Sequence, residues 1–402
     1  MASESVPAVS LEMQAVLAAA REKAGLADFG AEQFVPPLRA LLQSLDSEAQ
    51  LCAVGRYGQY TRIVDLLVNR LQFRDWVKRF PQILDEPIAP PIVIVGLMRT
   101  GTTMLQRLMA CDQRFYTPLW YETRYPVPAS ENDFKGPDSR IPPAKAEVAQ
   151  MLAANPDLAS MHPLDACAPD EEVMLLEQSF YSTLPESFAW LPGYARWLET
   201  HDNTPGYRYL YQLLQFLQWQ KKRKGQQATR WLLKAPHHLH HLDLLLRVFP
   251  GATVIQTHRD PLQTIPSLCS LNFALASLGS DAVDKVAFAR HWSDKFARSM
   301  ARAIAVRDQY PDQFIDVRYK DIVSDPIGVV QQLYERLSLE LDARAATAME
   351  RWLRDNKRED RQPHRYTPEQ FGLTPEGLCE DFRAYRAAYI GSAPERSPPA
   401  ER

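Results

Sequence analysis

The stretch Ile92–Thr103, "IVIVGLMRTGTT", decides the fold. Its first four residues are apolar and β-branched, which suits a strand buried on both faces. Gly96 and Gly101 then bound a loop, and from Thr102 a helical pattern begins with Met104, Leu105, Leu108 and Met109 on one side. A strand, a glycine-bounded turn and a helix N-terminus bring backbone N–H groups and the positive end of a helix dipole to one point, which makes an anion site. Against the triphosphate-binding pattern GxxxxGK[ST], Thr102 stands where the lysine belongs. That substitution argues against a kinase or NTPase. The loop's cation is Arg99, and Thr100, Thr102 and Thr103 add hydroxyl donors. Taken alone, the same residues would also serve as an ordinary capped helix start.

Three more short apolar runs follow: "RWLL" at Arg230, "ATVIQT" at Ala252 and "QFIDV" at Gln313. Helical stretches separate them, so they read as strands of a parallel sheet covered on both faces, an α/β architecture. Upstream, "LEMQAVLAAAREKAG" ends at a glycine, and Ile63, Leu66, Leu67 and Leu71 keep helical spacing. The proline-rich "DEPIAPPI" breaks that pattern. The expected organisation is a helical N-terminal extension over residues 1–88 and an α/β domain over 89–402. Within the domain, about 130–228 form a helical insertion and about 340–402 a C-terminal cover. The polar, proline-bearing stretch Ser130–Lys145 reads as an exposed loop. Phe180, Tyr181, Phe188, Trp190, Tyr194 and Trp197 are either pocket lining or plain packing.

At 402 residues, 46% hydrophobic and 24% charged, the composition is that of a globular protein, with length enough for a sizeable core. A net charge of -3 gives no reason to expect nucleic acid as a partner. The five cysteines are scattered without a CxxC pair, so neither a disulfide framework nor a cysteine zinc site is expected. The sequence shows neither a membrane span nor a secretory signal, and a cytoplasmic location is expected. Oligomeric state is not readable.

"MRTGTT" after a strand resembles the 5′-phosphosulfate loop of sulfotransferases that use 3′-phosphoadenylyl sulfate (PAPS), in which a basic and a small residue precede Gly-Thr-Thr. The likeness would account for the missing lysine, since the donor carries a phosphosulfate and no triphosphate. "VIQTHRDPLQTIPSL" adds an independent match: the family binds the 3′-phosphate through a strand-end arginine and a serine eight residues on, here Arg259 and Ser267. Asp260 and Pro261 also suit the N-cap and first position of the helix between them, with Pro266 implying a kink or a late start. "VRYKDIVSDP" resembles the family's strand-end tyrosine, which maps to Tyr319. The resemblance covers about Pro90–Ser338 and implies a P-loop-like parallel sheet flanked by helices. It further implies PAPS as donor, with no metal. It is closer to the bacterial and tyrosylprotein-type branch than to the cytosolic enzymes, whose Arg-Lys-Gly motif and adenine-stacking tryptophan (here Met104) are absent.

Sulfuryl transfer needs a base, cations for the charge moving onto phosphate oxygens, and in-line positioning. Arg99 serves the 5′ side, and Lys234 in "WLLKAPHHL" matches a strand-end lysine of many sulfotransferases. For the base, "WYETRYPVP" resembles the tyrosylprotein enzymes' "EETR" segment, giving Glu122 as base and Arg124 as an acceptor-side arginine. The alternative base is His237, although the cytosolic enzymes' spacing would place it at Pro236. His162, near Glu171 and Glu172, is a secondary acceptor-side candidate. His237, His240 and His241 share a helical face, but no carboxylate or cysteine is spaced to complete a metal site. Lys357, Arg358, His364 and Tyr366 are position-level candidates near the 3′-phosphate. The expected acceptor is a small-molecule or lipid-like hydroxyl compound. The alternatives are a P-loop small-molecule kinase and a non-catalytic nucleotide-binding protein.

Overall fold

The computed structural model describes residues 6–154, 164–356 and 367–391. Three helices come first, α1 (Met13–Ala24), α2 (Val35–Ser47) and α3 (Ala53–Arg79), and α1 ends at Gly25 in the left-handed conformation that such a stop requires. The sheet has five strands: β1 (Ile92–Gly96), β2 (Phe115–Tyr116), β3 (Arg230–Lys234), β4 (Thr253–His258) and β5 (Phe314–Arg318). Helix α4 (Thr102–Met109) follows β1. The spatial order is β2-β3-β1-β4-β5, with every pairing parallel. Four of these strands are the four apolar runs read from sequence. Strand β2, at two residues, is too short to leave a period.

Alternation along β1 explains the two layers. Val93 and Val95 enter one core with Trp231, Leu233 and Val254, while Ile92 and Ile94 enter another with Leu105, Leu108, Leu232 and Ile255. Both sheet faces are thereby covered by helices, which is why these strands read as continuous apolar runs.

The N-terminal helices are fastened to the rest by α3. Its first half joins a core containing Phe180, Tyr181, Leu191 and Tyr194, and its second half sends Phe73, Trp76 and Val77 into the main core. Arg62 on α3 also forks onto the carboxylate of Glu177 at 2.6 and 2.7 Å. The aromatics of residues 180–197 are therefore packing residues: Phe180, Tyr181 and Tyr194 are buried in that shared core, Phe188 lies under Arg62, and Trp190 packs on Phe288. The stretch expected as an exposed loop is also more ordered than that. It holds a 3-10 turn at Glu131–Phe134 and a helix from Ile141, pinned by a buried Arg140–Asp138 ion pair at 2.8 Å.

Register places the strand ends side by side. Gly96 pairs with Thr257 and His258 with Arg318, so Arg259 and Tyr319 leave the sheet as neighbours. The carboxyl ends of parallel strands are where open α/β sheets bind ligands.

Candidate active site

The loop between β1 and α4 is built for close approach. Gly101 has φ +85°, and a Cβ there would lie 3.2 Å from Tyr319 Cδ2 and 3.3 Å from Ile322 Cδ1. At Gly96 an added Cβ would sit 2.2 Å from Thr257 Oγ1. Arg99 is exposed and itself adopts φ +69°, a conformation that costs a non-glycine residue about 1–2 kcal/mol.

Thr100 departs from the expectation. Its hydroxyl donates to the Leu97 carbonyl at 2.6 Å and lies 2.6 Å from Thr257 Oγ1, fully buried. It staples the loop to β4, so only its backbone remains for an anion. Thr102 is also buried, while Thr103 is half-buried at the start of α4.

Arg259 links the loop to the neighbouring strands. One guanidinium nitrogen donates to the Arg99 carbonyl at 2.9 Å, Nε donates to Gln263 at 2.9 Å, and the group lies 4.1 Å from the centre of the Tyr319 ring. The helix Pro261–Ala276 carries both Gln263 and Ser267, four residues apart on one face. It starts as the sequence suggested, with Asp260 capping Leu262 N–H at 3.1 Å and Pro261 in the first turn, and it runs on through Pro266. Arg386 forks onto Asp260 at 3.1 and 3.0 Å and fixes that cap from the C-terminal side.

At the end of β3, Lys234 is buried with its Nζ donating to Thr103 Oγ1 at 3.3 Å and to Glu171 Oε1 at 2.5 Å. The next carboxylate, Glu172, is spent on structure. One of its oxygens accepts from the Lys234 backbone N–H at 2.7 Å, and the other meets His238 Nε2 at 2.7 Å, with Tyr207 holding the far side of that ring at 2.7 Å.

Both bases expected from sequence are buried and hydrogen-bonded within the fold. Glu122 is buried, and its two oxygens each accept from Lys221 Nζ at 2.7 Å while Oε2 also caps the Leu119 N–H at 2.9 Å. Burial pushes the Lys221 ammonium down, opposed by the Glu122 charge. The pair neutralises two buried charges, and with the Tyr121 hydroxyl donating to Oε1 at 3.4 Å the carboxylate already meets four donors. His237 is buried with Nδ1 accepting from the Thr183 N–H at 3.3 Å. Burial, then the neighbouring histidines and Lys295, hold its pKa well below the usual range. The residues Pro236–His240 form a 3-10 turn, and among the described residues no group of three His, Cys, Asp or Glu side chains is arranged to hold a metal.

Arg124 is likewise committed, to Glu147 at 2.9 Å and Asp65 at 3.3 Å, which ties α3 to the helix Ile141–Ala154. His162, Lys357, Arg358, His364 and Tyr366 lie outside the described residues. Two residues carry little signal in the sequence: Gln263 stands one turn beyond Arg259, and Glu171 shows only within the acidic run "DEE" after Pro169.

Arg259, Tyr319, the Arg99 loop and the Lys234–Thr103 contact meet at the strand ends without a P-loop lysine, the arrangement expected of a sulfotransferase. The sulfotransferase family model matches residues 90–343, and the chain belongs to that family. It is 28% identical over 264 residues to the omega-hydroxy-beta-dihydromenaquinone-9 sulfotransferase Stf3 of Mycobacterium tuberculosis, a match covering 62% of this chain and 63% of that protein. Among solved structures, sulfotransferase STF1 from Mycobacterium tuberculosis H37Rv superposes with a TM-score of 0.81 at 31% identity, covering 93% of this chain and 98% of that one. Sulfotransferase STF9 from Mycobacterium avium gives 0.85 at 26% identity, covering 96% and 98%. These structures share the P-loop-like α/β fold. The coverage extends over the N-terminal helices that fall outside the family match.

Proposed function

We propose that the chain transfers a sulfuryl group from PAPS to a hydroxyl acceptor, and less readily to an amine, without a metal. The observation that supports this most is Arg259, which joins the Arg99 carbonyl of the loop to the Tyr319 ring at the strand ends. That link sets a 5′-anion loop and a 3′-phosphate arginine in one cradle, whereas a triphosphate would need the lysine that Thr102 replaces. PAPS, when bound, supplies the sulfuryl group. The loop amides and Arg99 hold its 5′ side, Arg259 and Ser267 its 3′-phosphate, and Tyr319 flanks the nucleotide. Lys234, fixed against Thr103, offsets charge developing on the leaving phosphate oxygen.

The acceptor reading is a lipid-like alcohol. Stf3 is named for a menaquinone acceptor, and in this chain Leu271 and Leu275 continue the Ser267 face of the helix Pro261–Ala276. Met151, Leu152 and Leu164 gather against them, giving an apolar strip that leads away from the nucleotide residues. We assign residues 1–88 as the N-terminal extension, about 130–228 as the acceptor-side insertion and about 340–402 as the cover. No described helix is long and apolar enough to cross a membrane, and the five free cysteines suit a reducing cytoplasm.

Incubation with PAPS and a long-chain primary alcohol in detergent tests the activity, read as PAP and sulfate-ester formation. Turnover is expected with PAPS and absent with ATP. Phosphorylation of the alcohol by magnesium-ATP would replace this reading with a kinase.

A further inference from the structure

We propose that Glu171 is the general base of the reaction and that Lys234 holds it in reserve until the donor binds. The assignment rests on the sulfotransferase reading above. Three carboxylates are candidates, Glu122, Glu171 and Glu172, and two have both oxygens committed to buried partners. Glu122 is locked on Lys221, and Glu172 gives both oxygens to His238 and the Lys234 backbone. Glu171 differs in three respects. Its side chain is 16% exposed where that of Lys234 is 1% exposed, so it is the open member of the pair. Oε1 accepts from Lys234, while among the described residues Oε2 accepts no hydrogen bond. Through Lys234, Glu171 is one link from Thr103 at the head of the anion loop.

Its position is fixed from several sides. The Glu171 N–H donates to Asp170 Oδ1 at 2.7 Å, and Gln106 on α4 donates to the Asp170 carbonyl at 3.1 Å. The Asp170 N–H donates to the Pro118 carbonyl at 2.9 Å. The loop helix, the segment after β2 and strand β3 therefore all grip residues 170–172, which is the preorganisation that in-line transfer requires.

The acceptor O–H bond breaks and its proton goes to a Glu171 oxygen, while the acceptor oxygen forms the new bond to sulfur. The bond between sulfur and the bridging 5′-phosphate oxygen breaks, and its electron pair stays on that oxygen. Lys234, moving from Glu171 toward the developing phosphate charge, frees the carboxylate as the donor arrives. Protonated Glu171 then returns its proton to water.

The test uses the full chain with Glu171→Gln and Glu171→Ala. Calorimetry with PAP reads donor-site integrity, and PAP release from PAPS in the presence of the long-chain primary alcohol reads turnover. PAP affinity is expected within about threefold of wild type, with turnover lower by about 100- to 10,000-fold, the usual worth of a positioned base. Formate should restore at least about tenfold to the alanine variant by supplying a diffusible carboxylate in the vacated space. Turnover within about threefold of wild type in either variant would overturn the assignment. So would a loss of turnover matched by a parallel loss of PAP affinity and untouched by formate, which would make Glu171 only a support for Lys234. Failure of the wild type to bind PAP would instead remove the sulfotransferase reading itself.

Discussion

The guanidinium of Arg259 stands 4.1 Å from the centre of the Tyr319 ring and donates to the Arg99 carbonyl at 2.9 Å. Residues from the ends of β4 and β5 and from the β1 loop thus share one contact, around which the proposed nucleotide site is built. Arg259→Ala should weaken PAP binding by roughly 30-fold, since a charge-assisted hydrogen bond is worth about 2 kcal/mol. Arg259→Lys should recover only part of that, because an ammonium lacks the planar fork. Calorimetric titration checks both, and unchanged affinity in the alanine variant would remove Arg259 from the site.

Gly101→Ala tests the loop. The left-handed backbone costs a side chain about 1–2 kcal/mol, and the new Cβ would press on Tyr319 and Ile322 at 3.2 and 3.3 Å. Both a lower thermal midpoint and weaker PAP binding are expected. A variant with wild-type values of each would show that the loop relaxes freely.

Glu122 separates a structural role from a catalytic one. Glu122→Gln strands the Lys221 ammonium in a buried site, a change that typically costs about 3–5 kcal/mol. Denaturant unfolding should show that loss, while turnover per folded molecule stays near wild type. Replacing both partners, Glu122→Gln with Lys221→Met, should return much of the stability. A Glu122→Gln variant of normal stability and no turnover would reinstate Glu122 as the base.

The buried histidines predict an acid-sensitive fold. Burial first, then neighbouring positive groups including Lys295, push His237 and His240 well below their usual range and His241 to about 3. In the unfolded chain these rings titrate near 6.5, so the unfolded state takes up protons that the folded state refuses as pH drops below that value. Stability is therefore full above about pH 7 and falls toward pH 5, by up to about 1.4 kcal/mol per pH unit for each ring. Asp316, where burial is outweighed by bonds to His258 and Arg307 that hold it at about 2, adds a loss of the same sign but only below about pH 4. Melting curves between pH 8 and 5 read the slope, and His241→Gln should flatten it by about one proton. A midpoint that rises on acidification would contradict the reading.

What could be read from the chain alone follows the range of the interactions. The β1 loop, four strands and the cap of the Arg259 helix each rest on residues within one turn of one another, and each was legible. The partner of Glu122 was not, because Lys221 lies 99 positions away. Glu171 acquires its meaning from Lys234, 63 positions away. The aromatics of residues 180–197 have the composition of a pocket and of a core alike, and only the packing of α3 against them settles which they form.

The most direct measurement is calorimetric titration of the protein with PAP, set beside ATP with magnesium. The account predicts metal-independent binding of PAP, with magnesium-ATP much weaker or undetectable. Preferential binding of magnesium-ATP would contradict it, and the threonine at position 102 would need another explanation.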